Sequence, residues 1–259
     1  MQLFEKLNGF VGNKGEHDTI LITGYAGTGK TTVISALVEV LPLFNYRFAL
    51  LAPTGRAAKV LAAYSSRKEF TIHKIIYRQV ADPESGNLQF VRQKNYFRKT
   101  VFIVDEASMI TDQPDVGNNG LLDDVIEYVF EHPSNKLILV GDQAQLPPVG
   151  YSESPALVAA LLRSKYGLQL DQVELREVVR QEQRSGILEN ATALRQTLLD
   201  PSPEISINTK QYKDIYRISR EKMEDGLRYA YDKFGLEQSI ILCRSNWQAV
   251  QYNQYIRRN

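Results

Sequence analysis

Short, wholly apolar runs alternate along this chain with longer amphipathic ones, and the alternation predicts an α/β fold. Thr19–Thr23, Phe48–Ala52, Val101–Val104, Lys136–Val140 and Gln172–Leu175 have the length and aliphatic content of strands. Apolar residues recur at helical spacing over Thr31–Leu41, Gly55–Tyr64, Leu121–Glu131 and Pro155–Ser164. Strands separated by helices predict a mostly parallel sheet covered on both faces. Ligands of such sheets sit beyond the carboxyl ends of the strands. Polar or special residues fall there four times: a glycine-rich loop after Thr23, Pro53-Thr54-Gly55-Arg56, Asp105-Glu106, and Gly141-Asp142-Gln143.

Two segments interrupt the pattern. Residues 78–98 hold a turn signal, Asp82-Pro83-Glu84-Ser85-Gly86-Asn87, between two strand-like arms, and predict an inserted β-hairpin. Residues 111–120 read as a polar loop. The pattern breaks again near Asp200-Pro201-Ser202-Pro203, which places a domain boundary there: 1–200, then 201–259. Beyond the boundary the sequence predicts a strand (Ile215–Ile218), an amphipathic helix (Glu221–Phe234), a buried strand (Ser239–Cys243) and a helix from about Trp247.

The loop after the first strand reads Gly24-Tyr25-Ala26-Gly27-Thr28-Gly29-Lys30-Thr31-Thr32, a G-x-x-x-x-G-K-T match set between a strand and a helix. Glycines there let backbone N–H groups face one concavity, and the helix N-terminus adds its dipole to the anion site. Lys30 suits the β- and γ-phosphates of a nucleotide and the Thr31 hydroxyl suits Mg²⁺. Asp105-Glu106, after an apolar strand, supplies a carboxylate that can hold Mg²⁺ and a neighbour that can orient or deprotonate water. In Gly141-Asp142-Gln143-Ala144-Gln145-Leu146-Pro147-Pro148-Val149, two amides precede a proline pair that forces extended backbone, which suits a γ-phosphate sensor.

Composition narrows the class without changing it. At 259 residues, 43% hydrophobic and 24% charged, the chain is ordinary for a globular protein. Its net charge of +1 excludes wholesale coating of polyanions, although Arg78, Arg92, Lys94, Arg98 and Lys99 outnumber Asp82 and Glu84 around the hairpin. One cysteine, Cys243, excludes an internal disulfide framework and fits a reducing cytoplasm. No apolar stretch has membrane-spanning length and the N-terminus is no signal peptide, so no membrane partner is expected. His17, His73 and His132 are scattered without metal-ligand spacing, and no zinc is expected.

GYAGTGKT, LAPTGRAAKVL, VDEASM, LVGDQAQLPPV and LREVVRQ, in this order, resemble motifs I, Ia, II, III and IV of superfamily 1 DNA helicases of the 5′-to-3′ branch, the RecD-like and Dda-like enzymes. The resemblance implies a RecA-like ATPase domain over 1–200, a strand-separating pin at 78–98 and an incomplete second RecA-like domain over 201–259. It implies ATP and Mg²⁺ as cofactors, single-stranded and fork DNA as partners, a monomer, and DNA repair as one setting. By position, Lys30, Asp105, Glu106, Gln145 and Arg180 become catalytic. Glu106 is then the base, Gln145 the γ-phosphate contact and Arg180 the cationic finger, a role that supports large rate enhancements in other phosphoryl-transfer enzymes. Gln2 becomes an adenine contact upstream of motif I.

The same resemblance makes Pro53, Thr54, Gly55 and Arg56 a single-strand-gripping loop, with His73 of a T-x-H segment on the same side. Phe90 and Arg92 of the hairpin join them. Phe90, Tyr96 and Phe97 are stacking candidates, although hairpin aromatics also pack on their support. Later motifs of the family have no match, so the resemblance implies a fragment that binds ATP·Mg²⁺ without unwinding. An ATPase acting on RNA and a nucleotide-switched binding module remain alternatives. Nuclease chemistry is rejected, because no further carboxylate cluster accompanies Asp105 and Glu106.

Overall fold

The computed structural model describes residues 2–12, 17–65, 70–81, 88–114, 119–176, 185–197, 200, 202 and 204–258. The chain divides into two units, 1–181 and 182–259.

In the first unit, helix α1 (Gln2–Val11) precedes strand β1 (Thr19–Gly24), and the glycine loop leads into α2 (Lys30–Val40). Then come β2 (Arg47–Ala52), α3 (Gly55–Ser65), β3 (Phe70–Thr71), the short α4 (Ile72–Ile76) and an antiparallel hairpin, β4 (Tyr77–Ala81) with β5 (Leu88–Arg92). The unit continues with β6 (Thr100–Val104), α5 (Leu121–Phe130), β7 (Lys136–Gly141), α6 (Ala159–Tyr166) and β8 (Leu170–Leu175). Six strands form one sheet in the order β3-β2-β6-β7-β1-β8. Every pairing within it is parallel.

The buried strands lack polar alternation because both faces of the sheet are covered. Alternate side chains of one strand serve opposite cores. Leu21, Leu51, Phe102, Val104, Leu137 and Leu139 pack with Ile72 and Ile76 of α4, Leu122, Val125 and Val129 of α5, and Leu162 of α6. Their neighbours Ile20, Ile22, Leu50, Val101, Ile103, Ile138 and Val140 pack with Phe10 of α1, Ile34 and Leu37 of α2 and Leu61 of α3. Thus β1, β6 and β7 lie in the middle of the sheet, and their carboxyl ends have rigid support.

Several expectations need adjusting. The hairpin runs from Tyr77 to Arg92, so residues 93–98 are not part of its second arm. Asn95, 1% exposed, fixes that stretch instead: its amide donates to Tyr128 O (2.7 Å) and its backbone N–H to Glu131 Oε2 (2.8 Å) on and beside α5. Pro155–Leu157 forms a separate 3₁₀ turn, and α6 starts only at Ala159. The expected turn at 82–87 and part of the 111–120 loop (115–118) lie outside the described residues.

The second unit holds α7 (Gly186–Thr197), α8 (Met223–Phe234) and α9 (Asn246–Arg258). The division falls before α7, ahead of the 200/201 boundary expected. Asn190 of α7 explains the grouping, since its amide donates to Asn208 O (2.8 Å) and accepts from Asn208 N (2.7 Å). Neither Ile215–Ile218 nor Ser239–Cys243 forms a strand. Ile240 is 64% exposed and Leu242 88% exposed, so the second segment is not buried either. A strand is defined by a neighbour that takes its backbone hydrogen bonds, and the described residues of this unit contain no sheet to supply one.

Candidate nucleotide-binding site

Because the sheet is parallel, all six strands present their carboxyl ends at one edge. Along that edge, β3 leads to His73, β2 to Pro53–Arg56, β6 to Asp105-Glu106, β7 to Asp142–Gln145, β1 to the glycine loop and β8 toward Arg176. Arg180 follows β8, next to β1 in the sheet, but it lies within 177–184, outside the described residues. Gln2 opens α1; its side chain is likewise outside them.

The glycine loop is shaped for a phosphate. Gly27 and Gly29 have φ of 81° and 87°, left-handed values that glycine adopts without a Cβ penalty. A Cβ on Gly24 would meet Thr28 Oγ1 at 2.6 Å and Leu175 Cβ at 2.9 Å. The turn is closed by Thr28, whose hydroxyl donates to Tyr25 O (2.8 Å) and whose N–H reaches the same oxygen (3.2 Å). Ala26 and Thr32 are exposed on the loop and the first turn of α2, and Thr31 is half-buried between them. Lys30 begins α2, and its ammonium donates to Gly24 O (2.7 Å) and Tyr25 O (2.9 Å). It also stands 3.6 Å from Asp142 Oδ2.

Two strands away, burial pushes the Asp105 carboxyl up from 3.8 to about 6. The Glu106 N–H that donates to Asp105 Oδ1 (2.9 Å) pulls the other way; the Glu106 charge adds to the rise and Lys30 opposes it. Glu106 is unusual in two respects. Its backbone sits at φ 54°, a left-handed conformation that costs a non-glycine residue about 1–2 kcal/mol. Its Oε2 is buried without a hydrogen-bond partner among the described residues. A positive φ and an unsatisfied carboxylate oxygen thus coincide at one residue, directly after Asp105 at the sheet edge.

Gln145 is linked to the Asp105 loop directly: the Ser108 hydroxyl donates to Gln145 Oε1 (2.7 Å). Thus Lys30, Asp105 and Gln145 share one stretch of the sheet edge. Asp142 belongs with them but was legible only as one polar residue at a strand end. It is 4% exposed and accepts from Ala144 N (2.9 Å). The cradle, the ammonium and the oxygen donors suit a triphosphate and a hard divalent cation.

The residues expected to contact nucleic acid have distinct settings. Thr54 caps α3 through its hydroxyl, which accepts from Ala57 N (3.2 Å), while Gly55 and Arg56 are exposed and Pro53 half-buried. His73 lies half-buried in α4 with its ring 5.5 Å from that of Tyr77. Phe90 is 38% exposed and meets Tyr77 edge-on at 6.4 Å. Arg92 is ion-paired with Glu127 (3.0 Å) and faces Asp124 (3.7 Å). Phe97 packs edge-on against Phe102, whereas Tyr96 is 77% exposed. Among the described residues, no helix is long and apolar enough to cross a membrane.

Comparison with known proteins agrees with this fold. Residues 13–203 match the family model described as an AAA domain. The chain is similar to the ATP-dependent RecD2 DNA helicase of Deinococcus radiodurans, 29% identical over 178 residues, covering 69% of this chain and 22% of that protein. It is similar to the ATP-dependent DNA helicase dda of Enterobacteria phage T4, 30% identical over 179 residues, covering 68% of this chain and 37% of the helicase. A solved structure of two coordinating Pif1 helicases at forked double-stranded DNA shares the fold, with a TM-score of 0.52 at 18% identity over 98% of this chain and 56% of that one. The chain therefore spans well under half the length of these two curated relatives. With its glycine loop, its parallel sheet and residues 13–203 all in agreement, the chain belongs to the AAA domain family, and its resemblance is to the RecD-like and Dda-like helicases within superfamily 1.

Proposed function

We propose that this chain is the nucleotide-binding core of an ATP-dependent DNA helicase of the 5′-to-3′ branch. One observation carries the reading: β6, β7 and β1 are adjacent, and their carboxyl ends bring Asp105, Gln145 and Lys30 to one edge beside a phosphate-shaped loop. Lys30 and the loop N–H groups hold the phosphates of ATP; Thr31 and Asp105 hold Mg²⁺, which offsets negative charge on the transferring phosphoryl group. Glu106 orients the attacking water and accepts its proton, and Gln145 touches the γ-phosphate. Arg180, which follows β8 in the sequence, supplies a second cation.

DNA enters as substrate through the two relatives named as DNA helicases. Thr54, Gly55, Arg56 and His73 lie beyond β2 and β3, neighbours of the ATP edge, where they contact the single strand. The hairpin is the strand-separating pin. The second unit is the start of a second RecA-like domain, a reading that rests on the sequence resemblance of Ser239–Asn246, since Ser239–Cys243 forms no strand. A cytoplasmic setting fits the single free Cys243.

Steady-state hydrolysis of Mg·ATP tests the reading, run without nucleic acid, with single-stranded DNA and with single-stranded RNA. DNA stimulation that disappears in Lys30→Gln supports it. Stimulation by RNA alone, or turnover indifferent to either strand, rejects the DNA motor.

A further inference from the structure

We propose that Ser108 is a positioning residue for Gln145, holding the amide oxygen so that the amide NH₂ faces the γ-phosphate end of the site. The inference deepens the nucleotide reading above and rests on it. Ser108 belongs to the 3₁₀ turn Ala107–Met109 that follows Glu106, and it is 2% exposed. Its hydroxyl donates to Gln145 Oε1 at 2.7 Å. Gln145 itself is an exposed residue of the loop after β7. An exposed glutamine samples several rotamers, and a bond to a buried, fixed hydroxyl selects one of them. An amide carries one acceptor oxygen and one donor NH₂. With the oxygen taken by Ser108, the remaining group is the donor, which is what a phosphate oxygen requires.

The two loops are also fastened on either side of this bond. Ser154, 3% exposed, donates through its hydroxyl to Ala107 O (3.0 Å) and Ile110 O (2.9 Å). Tyr151 donates to Asp112 Oδ1 (2.5 Å). At the end of β7, a Cβ on Gly141 would stand 3.1 Å from Ser108 N and 2.7 Å from Leu157 Cδ2, so glycine is what lets the Ser108 turn approach. The Glu106 loop and the Gln145 loop are therefore one mechanical piece. Ser108 ties the residue that senses phosphate to the residue that activates water.

The test is equilibrium titration of the 259-residue chain, in Mg²⁺, with a fluorescent β,γ-imido analogue of ATP and with ADP. The parent chain binds the analogue more tightly than ADP. Ser108→Ala and Gln145→Ala each reduce that preference by about tenfold, the effect of one well-placed hydrogen bond, and leave ADP affinity unchanged. The double variant loses no more than either single one, because both act through one contact. Ser108→Cys, near in size with a weaker donor, loses less than Ser108→Ala and carries the test if the alanine variant does not fold. The positioning role is overturned if Ser108→Ala keeps the parent's preference while Gln145→Ala loses it, if the losses add, or if Ser108→Ala weakens both nucleotides equally. A parent chain that does not distinguish the analogue from ADP indicts the nucleotide-site reading instead.

Discussion

The ammonium of Lys30 stands 3.6 Å from Asp142 Oδ2, across the gap between neighbouring strands β1 and β7. Their side chains are only 14% and 6% exposed, so this pair is not screened as surface pairs are. Asp142 thereby fixes the far end of the residue that the glycine loop presents, and the phosphate site depends on two strands rather than one.

Lys30→Ala therefore costs stability as well as nucleotide binding. Removing the lysine leaves Asp142 without its nearby cation, at a cost of about 2–3 kcal/mol, somewhat under that of breaking a fully buried pair. Urea unfolding of Lys30→Ala and of Lys30→Ala combined with Asp142→Asn checks this. The second substitution recovers most of the loss; a single variant as stable as the parent contradicts the pairing.

Asp105 sets a pH dependence. Burial raises its folded value to about 6 from 3.8, so the folded chain keeps a proton that the unfolded chain has released. In Mg²⁺-free solution, stability falls as pH rises between those two values, by about 3 kcal/mol in total, and this contribution is level on either side. Asp105→Asn removes it. Thermal unfolding of parent and variant in a chelator, at about pH 4 and about pH 7, yields a difference that changes in the stated direction if the carboxyl is buried as described.

Tyr77 anchors the hairpin's base. Its hydroxyl donates to Asp124 Oδ2 at 2.6 Å, and Asp124 is 4% exposed. Tyr77→Phe leaves that carboxylate one bond short and costs about 1–2 kcal/mol. Limited proteolysis shows faster cleavage within 78–92 in the variant, while nucleotide affinity is unaffected. Equal cleavage of both chains removes the anchoring role.

Arg56 and Arg92 separate in their response to salt. Exposed Arg56 is available to a phosphate, whereas Arg92 is engaged with Glu127 and Asp124. Arg56→Ala weakens single-strand affinity and reduces the slope of log affinity against log salt by about 1. Arg92→Ala leaves the slope unchanged and loosens the hairpin. A reduced slope for Arg92→Ala reassigns that arginine to the DNA.

The sheet and its site edge were legible because the signals were local. Thr19–Gly24 and Lys30–Val40 flank a loop whose glycines must take positive φ, and β6 and β7 are runs buried on both sides. What escaped notice depends on contacts far apart in sequence. Asp142 gains meaning only beside Lys30, and Ser108 only when the loops after β6 and β7 are neighbours. Arg92 is expected at the DNA by resemblance alone, and its ion pairs with Asp124 and Glu127 of α5 could not be read from local sequence. Ser239–Cys243 has the composition of a strand, yet composition cannot supply the neighbour that a strand needs.

Isothermal titration of Mg·ATP into the purified chain and into its Lys30→Gln variant tests the central claim most directly. The parent binds one nucleotide per chain, only when Mg²⁺ is present, and Lys30→Gln weakens binding by at least about tenfold. Equal affinity in the two proteins, or binding indifferent to Mg²⁺, contradicts a site built from Lys30, Asp105 and Gln145.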